Sequence, residues 1–347
     1  MIRLLQFNNS VKQYAGFHQQ PHIPKAENLL ERKRLVMNKI LQCVLLIIFI
    51  SSCSPDLPLN EDCHFLIDEY TSKEYPENKY FRSRPFANPT NASEFGFIAE
   101  IDGVEGIWKY ILATSQTQLI VTTDIWSKPD WSNSDWIVFE SSAQIFKCKS
   151  NGDSLTQLSF KGQNYYPSWS PDGNFIIIVN DDNTPRRNFQ IISNNGSVIQ
   201  TLDSTLYSSQ PAFWSPDGEK IAFAQANGDG TTQIAYININ RPEQVIQLKS
   251  DLDKYFYGYL EWFPDSKSVL CKSGNNGIYK INIETGVYTE FEPDCPYYYY
   301  GFTILADGIS FIEDRWLRKY DEETNTIYNY FDLIHKFPDG SEVIIPY

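Results

Sequence analysis

Few side chains in this sequence are spaced as catalytic groups. A serine hydrolase needs a nucleophile, commonly within Gly-x-Ser-x-Gly, together with a general base and an oxyanion hole. That motif is absent from the 347 residues, as is the His-Glu-x-x-His motif of zinc enzymes. Beyond residue 53 the histidines are His64 and His335, which lie far apart in the sequence. We therefore expect no catalytic residue, no metal site and no cofactor.

Adjacent acidic residues leave calcium open as an alternative. Asp181-Asp182 and Glu322-Glu323 lie in turn-like sequence, where carboxylates and loop carbonyls can bind calcium together. Acids in turns more commonly face water, so the absence of a cofactor remains the first expectation.

Two tyrosine runs are the candidate binding residues. Tyrosine combines a large contact surface with a polar tip, as in the rims that bind peptides or sugars. The two runs occupy equivalent positions, ahead of Trp262 and of the region around Phe302, so we expect them on the same side of the fold. They contain Tyr255, Tyr257 and Tyr259, and Tyr297, Tyr298, Tyr299 and Tyr300.

A repeated motif indicates the elements that position these residues. Trp-Ser-Pro-Asp-Gly occurs at Trp169 to Gly173 and again at Trp214 to Gly218, with eroded copies at Trp131 to Asp135 and Trp262 to Ser266. The tryptophans are 38, 45 and 48 residues apart, which is close to the roughly 40 to 50 residues of one four-stranded propeller blade.

The motif has the chemistry of a hairpin turn. Proline presets the φ of the first corner of a type I turn, aspartate bonds its own backbone, and glycine accepts the positive φ that follows. A tryptophan before the turn would fill the space between two blades. We assign a structural role to Trp131, Trp169, Asp172, Gly173, Trp214, Asp217, Gly218, Trp262 and Asp265.

The segments after each turn predict an all-β fold. Ile234 to Ile239 has apolar residues at both alternating faces, as in a sheet that is covered on both sides. Residues 85–347 therefore predict a β-propeller, with six blades favoured because 263 residues give about 44 per blade. Phe337 to Gly340 with Val343 to Ile345 indicates a terminal half-unit that latches the ring. Seven blades remain open if the segment before residue 85 supplies strands.

These repeats resemble the WD-like repeats of TolB-type β-propellers, which carry Pro-x-Trp-Ser-Pro-Asp-Gly-x-x-Ile-x-Phe. Pro167 to Gly173 and Pro211 to Phe223 match that pattern. The resemblance covers about three quarters of the chain, and two strong copies at blade spacing make it specific for the fold. TolB itself is similar in its propeller half, and no α/β domain is predicted ahead of the blades here.

The amino-terminal region predicts a lipid anchor. Residues 37–52 have a basic start and a short apolar run, as in a signal peptide, and Ile50-Ser51-Ser52-Cys53 resembles the bacterial lipobox, which implies lipidation of Cys53. Residues 1–36 then read as an extension that precedes the true start at Met37, and an unusually long basic leader is the alternative. Residues 53–84 predict a polar tether. Ser54 is not the aspartate associated with inner-membrane retention, so the outer membrane is favoured.

Charge and cysteine content narrow the partners. A chain that begins at Cys53 carries 22 basic and 41 acidic side chains, which argues against binding nucleic acid. Cys148 and Cys271 lie in strand patterns and are predicted to be buried thiols, whereas Cys63 and Cys295 lie in loop-like sequence and could pair.

Together these features predict a lipid-anchored protein of the bacterial cell envelope. Its propeller would be a non-catalytic binding or scaffold module for protein or glycan partners. The alternative is a propeller enzyme, a lyase or hydrolase, whose site lies in the central channel.

Overall fold

The computed structural model describes residues 73–75, 84–125, 127–181, 187–202, 211–226, 231–248, 256–273, 277–292, 298–321 and 326–346. All of them lie in one compact unit, Leu57–Tyr347. The predicted extension, the signal peptide and Cys53 lie outside the described residues. Within the described ranges every regular element is a β-strand. These ranges hold no helix with the length and apolar character that a membrane crossing needs.

Six antiparallel sheets follow one another, and each is one blade. After Lys73–Tyr75 (β1), the strands of blade 1 are Phe86–Ala87 (β2), Glu94–Ile101 (β3), Val104–Ile111 (β4) and Gln116–Thr122 (β5). Blade 2 comprises Asp130–Trp131 (β6), Trp136–Ser141 (β7), Gln144–Lys149 (β8) and Thr156–Gln157 (β9). Blade 3 comprises Gln163–Trp169 (β10), Phe175–Asp181 (β11), Asn188–Ser193 (β12) and Val198–Thr201 (β13).

The second half of the ring repeats this pattern. Blade 4 comprises Ala212–Trp214 (β14), Lys220–Ala226 (β15), Thr232–Asn238 (β16) and Arg241–Gln247 (β17). Blade 5 comprises Phe256–Trp262 (β18), Ser268–Ser273 (β19), Ile278–Asn282 (β20) and Tyr288–Glu292 (β21). Blade 6 contains Tyr298–Ile304 (β22), Phe311–Asp321 (β23), Thr326–Lys336 (β24) and Glu342–Ile344 (β25).

The blades form a closed ring. The first strands β2, β6, β10, β14, β18 and β22 contact one another in that order, and β22 returns to β2. The prediction of an all-β propeller with six four-stranded blades is therefore confirmed.

Blade 6 joins strands from both ends of the described chain. Strands β1 and β25 both pair with β24, at Tyr75 opposite Asn329 and at Ile344 opposite Ile334. Residues 73–75 lie within the segment that we interpreted as a tether, and here they belong to the last blade. The turn Phe337 to Gly340 joins β24 to β25, the third and fourth strands of blade 6. It lies at the same end of the sheet as the turn between the first and second strands, and both hairpins can use the same turn chemistry.

An ion cluster around the buried Arg315 fastens β25 to the rest of blade 6. The buried guanidinium of Arg315 donates two hydrogen bonds of 2.8 Å to Glu342 and also contacts Glu313. Lys336 lies 3.1 Å from the same Glu342 carboxylate. Burial raises the pKa of Glu342, but the hydrogen bonds and charges of Arg315 and Lys336 together hold it below its usual value. A bidentate arginine pair of this kind fixes geometry as well as charge.

Each inner blade buries both faces of its sheet. In β16, Ile234 and Tyr236 pack in the cluster shared with blade 5, whereas Ala235 and Ile237 pack in the cluster shared with blade 3. This alternation explains why the strand lacks a polar face. The anchor tryptophans lie at the same interfaces, with Trp131 beside Phe86 of blade 1 at 6.2 Å between ring centroids.

Aspartates organise the turns after the anchors. Asp172 accepts hydrogen bonds from the Ser170 hydroxyl and from Asn174 N, the latter at 3.0 Å. Asp217 makes the same contacts with Ser215 and Glu219. Where the serine is missing, as before Asp265, the aspartate accepts from Lys267 N and Ser268 N at 2.8 Å instead.

Successive turns also touch one another on one face of the ring, which we call the turn face. Gly218 has φ of +74° and an added Cβ would lie 3.3 Å from Pro171 Cγ of the preceding blade. Asp217 N donates to Ser266 Oγ of the following blade at 3.0 Å. The turn motif therefore contributes to contacts between blades as well as within them.

Replacing Gly218 by alanine should destabilise the propeller more than the same change at Gly103. Gly103 has φ of +80° with no atom near an added Cβ, so Gly103→Ala should cost about 1 kcal/mol for the left-handed backbone alone. Gly218→Ala must also displace Pro171 and should cost about 2 kcal/mol. Urea unfolding of the two variants measures the difference, and equal losses would show that the Pro171 contact contributes nothing.

Candidate functional site

The candidate site is a cavity on the axis of the propeller. Its volume is about 340 Å³, and residues of all six blades line it. Pairing with the second strands shows that six positions, one per blade, are equivalent and directly precede the anchor position. We call them the inner ring: Phe86, Asp130, Ser168, Phe213, Glu261 and Thr303.

The inner ring repeats its chemistry every three blades. Reading around the axis, an aromatic residue, an acid and a hydroxyl residue are followed by the same three types again. In a ring of six blades, positions three blades apart lie on opposite sides of the axis. Asp130 therefore lies across from Glu261, and Ser168 lies across from Thr303.

Each inner-ring acid binds the next blade. Asp130 Oδ2 accepts hydrogen bonds from Ser168 Oγ at 3.0 Å and from Trp169 N at 2.7 Å. Glu261 Oε1 accepts from Thr303 Oγ1 at 2.8 Å, and Thr303 Oγ1 accepts from Ala87 N at 3.0 Å. These bonds join blade 2 to blade 3, and blade 5 to blades 6 and 1.

Lys128 crosses the axis. Its ammonium donates to Glu261 Oε2 at 2.6 Å and to the carbonyl of Phe302 at 3.1 Å. The side chain of Lys128 is 10% exposed and that of Glu261 20% exposed, so the pair is largely desolvated. Because Lys128 precedes blade 2 while its partners belong to blades 5 and 6, this ion pair links opposite sides of the ring.

Asp130 has a strongly altered acidity. Burial raises its pKa to about 6, although the hydrogen bond from Trp169 N opposes the shift. The nearby carboxylate of Glu261 raises the pKa further, whereas Lys128 and Ser168 lower it. Asp130 is therefore partly protonated near pH 6.

Above the inner ring, the cavity has apolar walls and a rigid rim. Trp131, Trp169, Trp214 and Trp262 form the walls. At the turn face the rim has one residue from each blade, and four of the six are prolines. These rim residues are Pro89, Asn133, Pro171, Pro216, Pro264 and Ala306.

A second set of charged groups lies toward the other ends of the strands. Asp314 accepts hydrogen bonds from Arg84 N at 3.3 Å and from Gly301 N. Burial raises the pKa of Glu140, while the hydrogen bond from Ala143 N and the charge of Arg84 oppose the shift. Burial lowers the pKa of Lys272, opposed by Asp314. No motif in the sequence indicates this set, because its members come from different blades.

The predicted tyrosine rim lies at this second end as far as its backbone is described. Tyr257 and Tyr259 are in β18, and Tyr298 to Tyr300 are in β22. Both strands have a register shift at the same place, after Tyr257 and after Tyr299. Tyr255, Tyr297 and the side chains of the others lie outside the described residues, so the binding role stays a prediction.

Blade 3 has a similarly placed pair of tyrosines that was not among the predicted binding residues. Its register shift follows Tyr165, and the rings of Tyr165 and Tyr166 are 6.2 Å apart. Arg187 lies 5.5 Å from the Tyr165 ring centroid and pairs with Asp181 at 2.9 Å. Two adjacent tyrosines are too short a run to stand out in the sequence. Their position just before the Trp169 anchor would have identified them.

The remaining candidates lie away from the cavity. His335 is on β24, the third strand of its blade, where burial lowers its pKa. Cys148 and Cys271 are buried free thiols, as predicted, while His64, Cys63 and Cys295 lie outside the described residues. Across the described ranges, no group of three or more His, Cys, Asp or Glu is placed to hold a metal ion. Asp182, Glu322 and Glu323 lie outside those ranges, so the calcium alternative stays untested.

The acidity of Asp130 makes stability depend on pH. The pKa of Asp130 is about 6 in the folded protein and 3.8 for an unperturbed aspartate, so the folded state retains a proton that the unfolded chain loses. The contribution of Asp130 to the free energy of unfolding should therefore fall as pH rises from about 4 to about 6 and stay constant above that pH. The unfolding free energy of the native chain minus that of Asp130→Asn should therefore decline across this range, by on the order of 2 kcal/mol.

Asp172→Asn is the matched control, measured by urea unfolding at each pH. Burial raises the pKa of Asp172 in part, but hydrogen bonds from Ser170 and Asn174 keep it below its usual value. Its difference curve should therefore rise with pH through the acid range. A flat curve for Asp130→Asn would contradict the assigned protonation.

Comparison with known proteins agrees with this architecture. The model of the TolB beta propeller domain family matches residues 79–249. An uncharacterized peptidase of Bacillus subtilis (strain 168), YuxL, is 26% identical over 131 residues, which are 35% of this chain and 20% of the peptidase. The chain thus spans about a fifth of that relative.

Solved TolB structures share the fold at low identity. A candidate TolB from Agrobacterium tumefaciens superposes with a TM-score of 0.55 and 15% identity, covering 68% of this chain and 86% of that one. TolB from Acinetobacter baumannii gives a TM-score of 0.53 and 16% identity, with 74% and 61% covered. The repeats and the closed ring show that this chain is a six-bladed β-propeller, and residues 79–249 of it match the TolB beta propeller domain family.

Proposed function

We propose that this protein is a lipid-anchored binding or scaffold module of the bacterial cell envelope. In this proposal Cys53 carries the lipid, and the propeller presents a face to protein or glycan partners. The axial cavity supports the binding role most directly. It is open to the turn face, its rim is rigid, and its polar groups are held by neighbouring blades.

The engagement of the inner-ring acids favours binding over proton transfer. A general base must be free to reach and accept a substrate proton. Asp130 holds Ser168 and Trp169 of the next blade, and Glu261 holds Lys128 and Thr303. Moving either carboxylate toward a substrate would break hydrogen bonds that hold neighbouring blades together.

The rim favours a macromolecular partner. Proline has a fixed φ and little side-chain entropy to lose, so a surface with Pro89, Pro171, Pro216 and Pro264 is already ordered before contact. Preorganised surfaces retain more of their interaction energy as affinity. Similarity to TolB proteins in fold is consistent with such a role but does not identify the partner.

An enzyme acting in the channel is the alternative. The buried Glu140, whose pKa is raised, lies near Arg84, and raised carboxyl pKa values are typical of general acids. The peptidase relative gives this alternative a reaction class. Hydrolysis of a peptide library that is lost in Glu140→Gln and retained in Glu243→Gln, an exposed acid on β17, would replace the binding proposal.

Lipidation at Cys53 should decide where the protein resides. The full chain, expressed in a bacterial host, should fractionate with membranes and carry acyl groups on a peptide that begins at Cys53. Cys53→Ser should remove both properties, because two or more acyl chains are needed for stable anchoring. Cys148→Ser, at a buried thiol, is the control and should still fractionate with membranes. Membrane fractionation of Cys53→Ser equal to that of the native chain would contradict the anchor.

The tyrosine runs should contribute to partner capture. Affinity capture from detergent-solubilised envelopes should yield a partner with the native chain and lose at least about tenfold with Tyr255, Tyr257, Tyr259 and Tyr297 to Tyr300 changed to serine, as for hot-spot aromatics. Tyr288→Ser, an exposed residue of the outer strand β21, is the control. Identical partner profiles would remove the proposed rim, and quantitative mass spectrometry makes the comparison.

A further inference from the structure

The floor of the axial cavity, where Asp130, Glu261 and Lys128 lie, carries an uncompensated negative charge. Among the described residues that line the cavity, Asp130 and Glu261 are the acids and Lys128 is the base. With both acids ionised, the net charge of the floor is −1. The whole chain has a formal net charge of −14, so the surrounding field has the same sign.

The floor also has more unfilled hydrogen-bond acceptor positions than unfilled donor positions. An ionised carboxylate has about four acceptor positions. The described hydrogen bonds fill three on Asp130, from Trp131 N, Trp169 N and Ser168 Oγ. They fill two on Glu261, from Lys128 and Thr303. Lys128 uses two of its three protons. A ligand that donates hydrogen bonds therefore fits this floor better than one that accepts them.

The walls suit the rest of such a ligand. Aromatic side chains attract ammonium and guanidinium groups and also pack against alkyl stems. Trp214 and Phe213 are only partly buried and line the cavity together with the buried Trp131, Trp169 and Trp262. A volume of about 340 Å³ has room for one long side chain, but little for a folded domain.

We propose that the axial cavity takes a lysine or arginine side chain of a protein partner. This inference rests on the proposed binding function and names the chemistry of the partner's anchoring residue. The cationic group lies between Asp130 and Glu261, the alkyl stem contacts the tryptophan walls, and the partner's backbone rests on the proline rim. A neutral glycan would leave the charge of the floor uncompensated.

Matched small probes test this assignment on the native chain. N-acetyl-arginine amide and N-acetyl-citrulline amide have nearly the same shape, and the arginine compound alone carries a charge. The arginine probe should change tryptophan fluorescence saturably with a dissociation constant on the order of 1 mM, and citrulline should bind at least about tenfold more weakly. Equal binding of the two probes, or no saturation by arginine up to about 20 mM, overturns the proposal.

Variants and pH locate the site. Glu261→Gln and Asp130→Asn should each weaken arginine binding about fivefold or more, whereas Glu243→Gln on β17 should leave it unchanged. Binding to the native chain should also weaken as pH falls below about 6, because Asp130, which faces Glu261, Lys128, Ser168 and Trp169, gains a proton. Equal weakening by all three variants would place the probe elsewhere and overturn the proposal.

The outcome is separable from that of the proposed function. A partner captured through the tyrosine runs, together with no preference for arginine over citrulline, would keep the binding module and remove only the cavity inference. If a soluble oligosaccharide changes the tryptophan fluorescence saturably and the arginine probe does not, the cavity inference is likewise overturned, in favour of a glycan ligand.

Discussion

Blades 1 and 6 of this propeller can bury both faces of their sheets only when the ring is closed, and the rest of the structure depends on that closure. The cluster between blades 6 and 1 shows the constraint, because it combines Phe95 and Phe97 with Leu305 and Ile345. These residues are separated by most of the chain, yet all are buried. Pairing of β1 and β25 with the same strand, and the ion pair of Arg315 with Glu342, hold the two sides together.

Closure and the candidate site use the same atoms. Asp130 and Glu261 join neighbouring blades through hydrogen bonds that also fix the floor of the cavity. Burying a charge is costly unless it is paired and hydrogen-bonded, and in the described residues Lys128 supplies the pairing across the axis. The floor is therefore rigid for structural reasons, which gives a bound group a fixed environment. It also limits the movement that catalysis by these carboxylates would need.

The sequence predicts the blades well and the cavity floor poorly, for a physical reason. Trp169 and Trp214 recur because most blades place a large flat side chain at this interface position, where blades 1 and 6 have Ala87 and Ile304. Gly173 and Gly218 recur because the turn needs a positive φ. The position before the tryptophan needs no constant residue, since its neighbours across the axis differ. Asp130 and Glu261 therefore look like variation within a repeat until strand register shows that they face one axis. Comparing the residues that directly precede each anchor position would have identified them, because the same residue types recur every three blades.

The near two-fold pattern of the inner ring is broken at one place, and that break gives the cavity a direction. Lys128 lies two residues before Asp130, whereas Tyr259 occupies the equivalent position before Glu261. The one ammonium group bonds Glu261 at 2.6 Å and forms no described hydrogen bond with Asp130. Negative charge is consequently least compensated on the side of blades 2 and 3, below Trp169. In the proposed complex the cationic group between the two acids therefore lies toward Asp130, so a propeller whose inner ring is nearly symmetric still offers its partner an asymmetric cavity floor.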